Sequence, residues 1–300
     1  MIDTSSLRPP RFSVHNPSLR ISDHGPVRRY SVRYEIEGIA APAQVALYQI
    51  GSTLFDAGPP RVAQWLYDQL PHSQIERVIV THHHEDHVGT LQLFRTLRPD
   101  VPVLAPHACV ELLAPGLPVP KYRQVYWGNL GPIAGLRGYD FGQQFACGSV
   151  IVSSLHTPGH TPYHSSFFVQ DAGTTYILTG DIYLSTTPLG IFYEADLPGM
   201  LRSVEALLAL PGELVLLLSH GGIPSEGRAR LTELAQYLRE QMQLIDSFRH
   251  RTGVHDPRMI ATALYGFDPA TWDYSGGEIG PHCFVRGALE PVRSLPATVP

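Results

Sequence analysis

Read for its apolar positions, the chain is a series of short strands punctuated by amphipathic helices. "RYSVRYEIEG" from residue 29, "AQVALYQIG" and "STLFDAG" carry the alternating or continuous apolar runs of half-buried and buried strands. Gly51 and Ser52 separate the last two and predict a hairpin turn. Pro59 and Pro60 open "RVAQWLYDQL", whose Val62, Leu66 and Leu70 share one helical face. "RVIV" and "VPVLA" are predicted strands; "HVGTLQLFRTL" and "HACVELLA" are predicted helices. Strands return at "SVIVSSLHT", "HSSFFVQD" and "TTYILTGD", a helix at "GMLRSVEALLAL" and a strand at "ELVLLLSHG". Residues 1–28 read as irregular. Residues 115–143, rich in glycine, proline and aromatics, read as a long loop, either a lid or an insertion.

After Ser225 the texture changes. Leu231, Leu234, Leu238 and Ile245 form one stripe of a long amphipathic helix. Asp256-Pro257 caps and starts another helix, and a further one is predicted near Cys283 to Leu289. The expected organisation is an irregular segment at 1–28, a strand-rich domain at 29–225 and a helical C-terminal extension at 226–300 that caps the active site.

Composition narrows the classes. Three hundred residues, 43% hydrophobic and 16% charged, are enough for a sizeable core. A net charge of −5 without a basic cluster excludes a nucleic-acid surface. The longest apolar run, Leu214 to Leu218, is far short of a membrane span. The N-terminus lacks the apolar segment of a secretory signal. Three scattered cysteines, Cys109, Cys147 and Cys283, suit a reducing, cytoplasmic setting. The 15 histidines are numerous enough to ask whether they cluster.

They do. "VIVTHHHEDHVG" runs a buried strand into four histidines and two carboxylates at 82–87. Residues two apart on a strand share a face, so His82 and His84 point together and His83 points away. The chain then turns into a helix at Asp86-His87. This H-x-H-x-D-H spacing allows paired metal sites, and imidazole with carboxylate suits zinc, iron or manganese. His160 in "TPGHTP", Asp181 in "LTGD" and His220 in "LSHGG" each end an apolar strand, where open sheets place their sites. His83 and Glu85 read as bystanders, His156 and His164 as supporting residues, and His15, His24, His72, His107, His250 and His255 as surface or satisfied groups.

"LFDAG", "THHHEDH", "TPGH", "TGD" and "SHG", in this order over roughly 30–225, resemble the metallo-β-lactamase superfamily of hydrolases. The resemblance implies an αββα sandwich with metals at one edge. It assigns His82, His84 and His160 to a first divalent ion, Asp86, His87 and His220 to a second, and Asp181 to both, with Asp56 as a structural carboxylate behind the ligand loop. Zinc is the first expectation, iron or manganese the alternatives. Two such ions make hydroxide available at neutral pH, so an ester, thioester or lactone is the expected substrate. Asp86, Asp181 and Tyr183 are the expected catalytic groups. Tyr183 precedes by one residue the place, here Leu184, where lactonases of this fold carry a tyrosine. Tyr122, Tyr126, Trp127 and His282 are expected substrate contacts. Other readings are a mononuclear-iron sulfur dioxygenase using His82, His160 and Asp181, a phosphodiesterase, or a metal-binding regulator without turnover. The expected partner is a small molecule, with no membrane and no nucleic acid, and a homodimer is possible.

Overall fold

The computed structural model describes residues 13–291. Fourteen strands appear in chain order among the described residues: β1 (Val14–His24), β2 (Val27–Ile36), β3 (Ala43–Ile50), β4 (Thr53–Phe55), β5 (Arg77–Ile79), β6 (Val103–Pro106), β7 (Arg137–Tyr139), β8 (Gln144–Cys147), β9 (Val150–His156), β10 (Ser165–Asp171), β11 (Thr174–Gly180), β12 (Ile191–Phe192), β13 (Glu213–Leu218) and β14 (Ile279–Gly280). The first sheet runs β1 to β7 in sequence order, and the second runs β13-β11-β10-β9-β8. The helices are α1 (Ala63–Gln69), α2 (Glu85–Val88), α3 (Leu91–Leu97), α4 (His107–Leu113), α5 (Lys121–Tyr126), α6 (Leu197–Leu208), α7 (Gly227–Thr252), α8 (Pro257–Tyr265), α9 (Pro269–Ser275) and α10 (Pro281–Leu289).

Alternation along the strands builds the layers. On β3, Val45 and Leu47 face an outer core with Leu66 of α1, Phe94 of α3 and Leu113 of α4. Ala46, Tyr48 and Ile50, one residue out of phase, face the space between the sheets. There they meet Phe167, Leu178 and Leu217 of the second sheet. Leu214, Leu216 and Leu218 of β13 turn the other way, onto α6 and α7. Each central strand is therefore buried on both faces, the pattern of a sheet covered on both sides. The order is helices, sheet, sheet, helices, as the αββα expectation required. Tyr48 donates its hydroxyl to the Leu218 carbonyl, and the Ala46 N–H bonds the Ser219 carbonyl at 2.7 Å, tying the two sheets together.

Two expectations are corrected. Residues 14–28 are not irregular: β1 pairs antiparallel with β2 from Val14↔Ile36 to His24↔Val27. Most β1 side chains are exposed, so this edge strand carries no apolar period to read; residues 1–12 lie outside the described residues. The 115–143 stretch is not one loop, because it contributes α5 and the edge strand β7. Asp256 caps α8 as expected, its carboxylate accepting from the Met259 N–H at 2.9 Å. In the described residues no helix is long and apolar enough to cross a membrane.

Candidate metal centre

The predicted ligands converge at one end of the sandwich, all just beyond strand ends. β5 stops at Ile79, and residues 81–84 form a bent segment before α2. The backbone is held there by Asp56, whose carboxylate accepts from the Thr81 N–H at 2.8 Å and from the Thr81 hydroxyl at 3.1 Å. Asp56 sits in the left-handed region at φ 61, a strained conformation tolerated where the loop needs it. Gly180 also has positive φ, and a Cβ there would lie 2.3 Å from His164 Nε2. That nitrogen accepts the Asp181 N–H at 3.0 Å, so His164 aims the Asp181 loop, as a supporting residue would.

The predicted ligands fall into two clusters: His82, His84 and His160 form one; Asp86, His87, Asp181 and His220 form the other, while His83 and Glu194 make a further group with His84. His84 Nδ1 and His160 Nε2 are 2.9 Å apart. Asp181 stands between the clusters, with His160 Nε2 at 3.5 Å from Oδ2 and His87 Nε2 at 3.3 Å from Oδ1. His220 Nε2 lies 3.0 Å from Asp86 Oδ2 and 3.4 Å from Asp181 Oδ2. His82 Nε2, His87 Nε2 and Asp181 Oδ1 are buried without any hydrogen-bond partner. Buried polar atoms left so are costly unless something binds them, and a divalent cation fits these donors.

The electrostatics agree. Burial lowers His82, pushes His84 down to about 3 and His160 to about 4, keeping these imidazoles neutral and ligand-competent. Burial opposes charge on Asp86 and Asp181, but the neighbouring His87 and His220 hold both well below the usual carboxylate range. Burial also opposes charge on His220, yet Asp181 and Asp86 raise it to about 10. The two carboxylates are thus anions whose field draws in positive charge.

The remaining predicted residues scatter. Trp127 stands at the cluster, its ring 5.7 Å from that of His220. Tyr122 packs on Tyr274 at 5.5 Å, and Tyr126 on Trp127 at 6.2 Å. His282 packs at a tilt on Trp272 at 4.7 Å in a separate cavity with Arg258 and Phe267 that no candidate ligand lines. Tyr183 is buried in the apolar cluster beneath α7, while its neighbour Leu184 lines the cavity beside Asp181. The structure therefore does not bring Tyr183 to the ligands; the chain beyond Asp181 turns it toward Leu231 and Leu234. Two residues read as bystanders are not. With no strand at 82–84 the two-residue alternation does not apply, and His83 is buried with Nε2 3.4 Å from Glu194. Glu85 is buried and pairs with both arms of Arg123 at 2.7 and 2.5 Å. Arg123 and Glu194 carried no motif in the sequence.

Residues 50–220 match the family model for the metallo-beta-lactamase superfamily. The chain belongs to the metallo-β-lactamase superfamily. A hydroxyacylglutathione hydrolase of Methylococcus capsulatus is 26% identical over 73% of this chain and 78% of its own length. A cytoplasmic hydroxyacylglutathione hydrolase of Arabidopsis thaliana is 30% identical, over 46% of this chain and 47% of its own. The chain thus spans about half the length of some curated relatives it matches. Among solved structures, a beta-lactamase domain protein from Burkholderia ambifaria aligns with TM-score 0.63 over 90% of this chain and 87% of that one, at 19% identity. A metallo-beta-lactamase family protein of Thermus thermophilus aligns with TM-score 0.62 over 87% and 92%, at 18%. These structural likenesses establish the fold of the sandwich.

Proposed function

We propose that this metal-dependent hydrolase holds two divalent ions, zinc foremost, and cleaves acyl thioesters, with carboxylic esters and lactones as weaker substrates. His82, His84 and His160 would hold the first ion, and Asp86, His87 and His220 the second. Asp181, placed between the buried cluster of His82, His84 and His160 and the cluster of Asp86, His87 and His220, is the observation that carries the reading. Bound there, the ions supply hydroxide at neutral pH and polarise the carbonyl under attack.

The chain's own groups do the rest. Asp86 and Asp181, kept ionised by their neighbours, act as anionic ligands rather than as proton donors. The Phe192 ring lies 5.8 Å from His84 and 5.6 Å from His160 and keeps water off that side. A cavity of about 220 Å³ opens from His160 and Asp181 and is walled by Leu184, Leu189, Phe192, Met200 and Leu234. Ser185 and Thr187 also line it, and a mixed pocket of this kind, with His160 and Asp181 in its wall, suits an acyl chain whose carbonyl reaches the ions. Among the described residues no lysine or arginine lines it, which favours a thioester over a phosphoester. The hydroxyacylglutathione hydrolases among its relatives support thioester chemistry. β14 of the C-terminal extension pairs with β12, Ile191↔Gly280, and so backs the cavity wall. A cytoplasmic setting follows the same likeness.

The test is metal content by plasma mass spectrometry on untagged protein, then turnover of acyl thioesters, esters and lactones. Two ions per chain and thioester turnover that Asp181→Ala abolishes are expected. A protein with both ions and no turnover above free metal would refute the reading, and one iron with oxygen uptake would replace it.

A further inference from the structure

Three of the candidate ligand imidazoles have a clear partner on the nitrogen turned away from the ions. His82 Nδ1 meets the Thr81 hydroxyl at 2.9 Å, His87 Nδ1 the Asp56 carboxylate at 2.8 Å, and His220 Nδ1 the Gln44 carbonyl at 2.7 Å. Such partners fix the tautomer and the ring orientation of a ligand histidine. His84 is turned the other way round. Its Nδ1 faces His160 Nε2, so its Nε2 points outward. That nitrogen is buried and lacks a hydrogen bond, and the group facing it is Glu194, with Oε1 at 3.5 Å. The second carboxylate oxygen faces His83 Nε2 at 3.4 Å.

Resting on the metal reading above, we propose that Glu194 is a positioning residue for the first ion. Its carboxylate receives the Nε2–H of His84 and so leaves Nδ1 free to bind. His83 is the second donor that holds Glu194 in place. The arrangement mirrors Asp56 behind His87, but its attachment differs. Asp56 belongs to the same sheet as the loop it supports, directly after β4. Glu194 follows β12, whose partner β14 is in the C-terminal extension, and the preceding Tyr193 N–H bonds the Glu278 carbonyl at 2.9 Å. Arg123 adds its charge from α5, facing both Glu194 and Glu278. Seating of the extension therefore sets how firmly His84 is presented, although the extension supplies no ligand itself.

The experiment titrates cobalt(II) into metal-free full-length protein, read by visible absorption and by calorimetry. It compares the wild type with Glu194→Gln, of the same shape, and Glu194→Asp, of the same charge. The expected result is two ions in every protein, with one bound about 10–100-fold more weakly in Glu194→Gln. The absorption bands of that ion should change, the other ion should keep its affinity, and Glu194→Asp should recover part of the loss. Unchanged binding of both ions in Glu194→Gln overturns the proposal. So does equal weakening of both together with a lower melting temperature of the metal-free protein, which marks a merely structural role. A third ion in the wild type that Glu194→Gln lacks would make Glu194 a ligand instead. Wild-type protein that takes up no cobalt overturns the metal reading and this proposal with it; uptake of two ions without thioester turnover overturns only the substrate reading.

Discussion

Arg123 offers the sharpest test of how the metal loop is held. Its guanidinium lies in a buried junction with Glu85 at 2.5 Å and Glu278 at 3.5 Å, the arginine and Glu85 side chains being 8% and 2% exposed. Burial opposes its charge, but Glu85, Glu194 and Glu278 overcome that and raise its pKa, so the arginine stays protonated. Glu85 opens α2 immediately before the candidate ligand Asp86. Arg123→Met keeps most of the volume and removes the only guanidinium paired with Glu85 among the described residues. Losing one partner of a buried ion pair costs about 3–5 kcal/mol, because the other charge stays in a place without water. Removing Glu85 as well relieves that penalty, so the pair should be strongly non-additive. The assay is urea unfolding of the wild type, Arg123→Met, Glu85→Gln and the double variant. The double variant should be less destabilised than the sum of the singles by about 2 kcal/mol, near the top of measured coupling energies. A loss below about 1 kcal/mol in Arg123→Met, the range of exposed ion pairs, would refute the reasoning and make the junction a surface contact.

Asp56→Asn keeps the shape and tolerates the left-handed backbone but weakens the acceptor behind His87; the second ion should bind about 10–100-fold more weakly by calorimetry. Unchanged affinity would remove Asp56 from its supporting role. Gly159→Ala places a Cβ 2.4 Å from Met200 Cα at φ +143. The combined overpacking and strain should cost about 2–5 kcal/mol in denaturant unfolding and displace His160, and a neutral substitution would contradict the loop geometry. Trp127→Ala should raise KM for bulky thioesters about 5-fold, the worth of roughly 1 kcal/mol of aromatic contact, and leave small ones nearly unchanged. Equal effects on both would mean that Trp127, beside His220, does not touch the substrate.

What could be read from the sequence was what is local or periodic. The H-x-H-x-D-H run declares itself because its ligands lie within one turn of chain. His160, Asp181 and His220 were visible because each follows an apolar strand, and β9, β11 and β13 are indeed the strands that end beside them. The two-sided burial of β3 and β13 was legible as nearly continuous apolar text. β1 was not, because an edge strand with mostly exposed side chains has no reason to alternate. His83 escapes the strand alternation for a related reason: β5 stops early, and a bend has no fixed two-residue period. Tyr183 stands one residue before the lactonase tyrosine position, and the backbone sends it into the core while Leu184, at that position, takes the cavity. Glu194 and Arg123 had no signal, since a two-residue strand and a six-residue helix are too short to show a pattern, and their partners lie far off in the chain.

The candidate ligands explain why such distant pieces must meet. Residues 82–87 follow β5 of the first sheet, while His160, Asp181 and His220 follow strands of the second. Neither sheet alone completes either cluster. An ion held as proposed, by both sheets, would bind only the docked sandwich, so its binding energy would add directly to the stability of the interface, about 2.7 kcal/mol at a hundredfold excess over the dissociation constant. Asp56 anchors the ligand loop from the first sheet, and Glu194 faces it from the segment joined to the C-terminal extension. With two ions held as proposed, a carboxylate behind each, tied to a different part of the chain, would make ion binding report on the assembly of the whole molecule rather than on one loop.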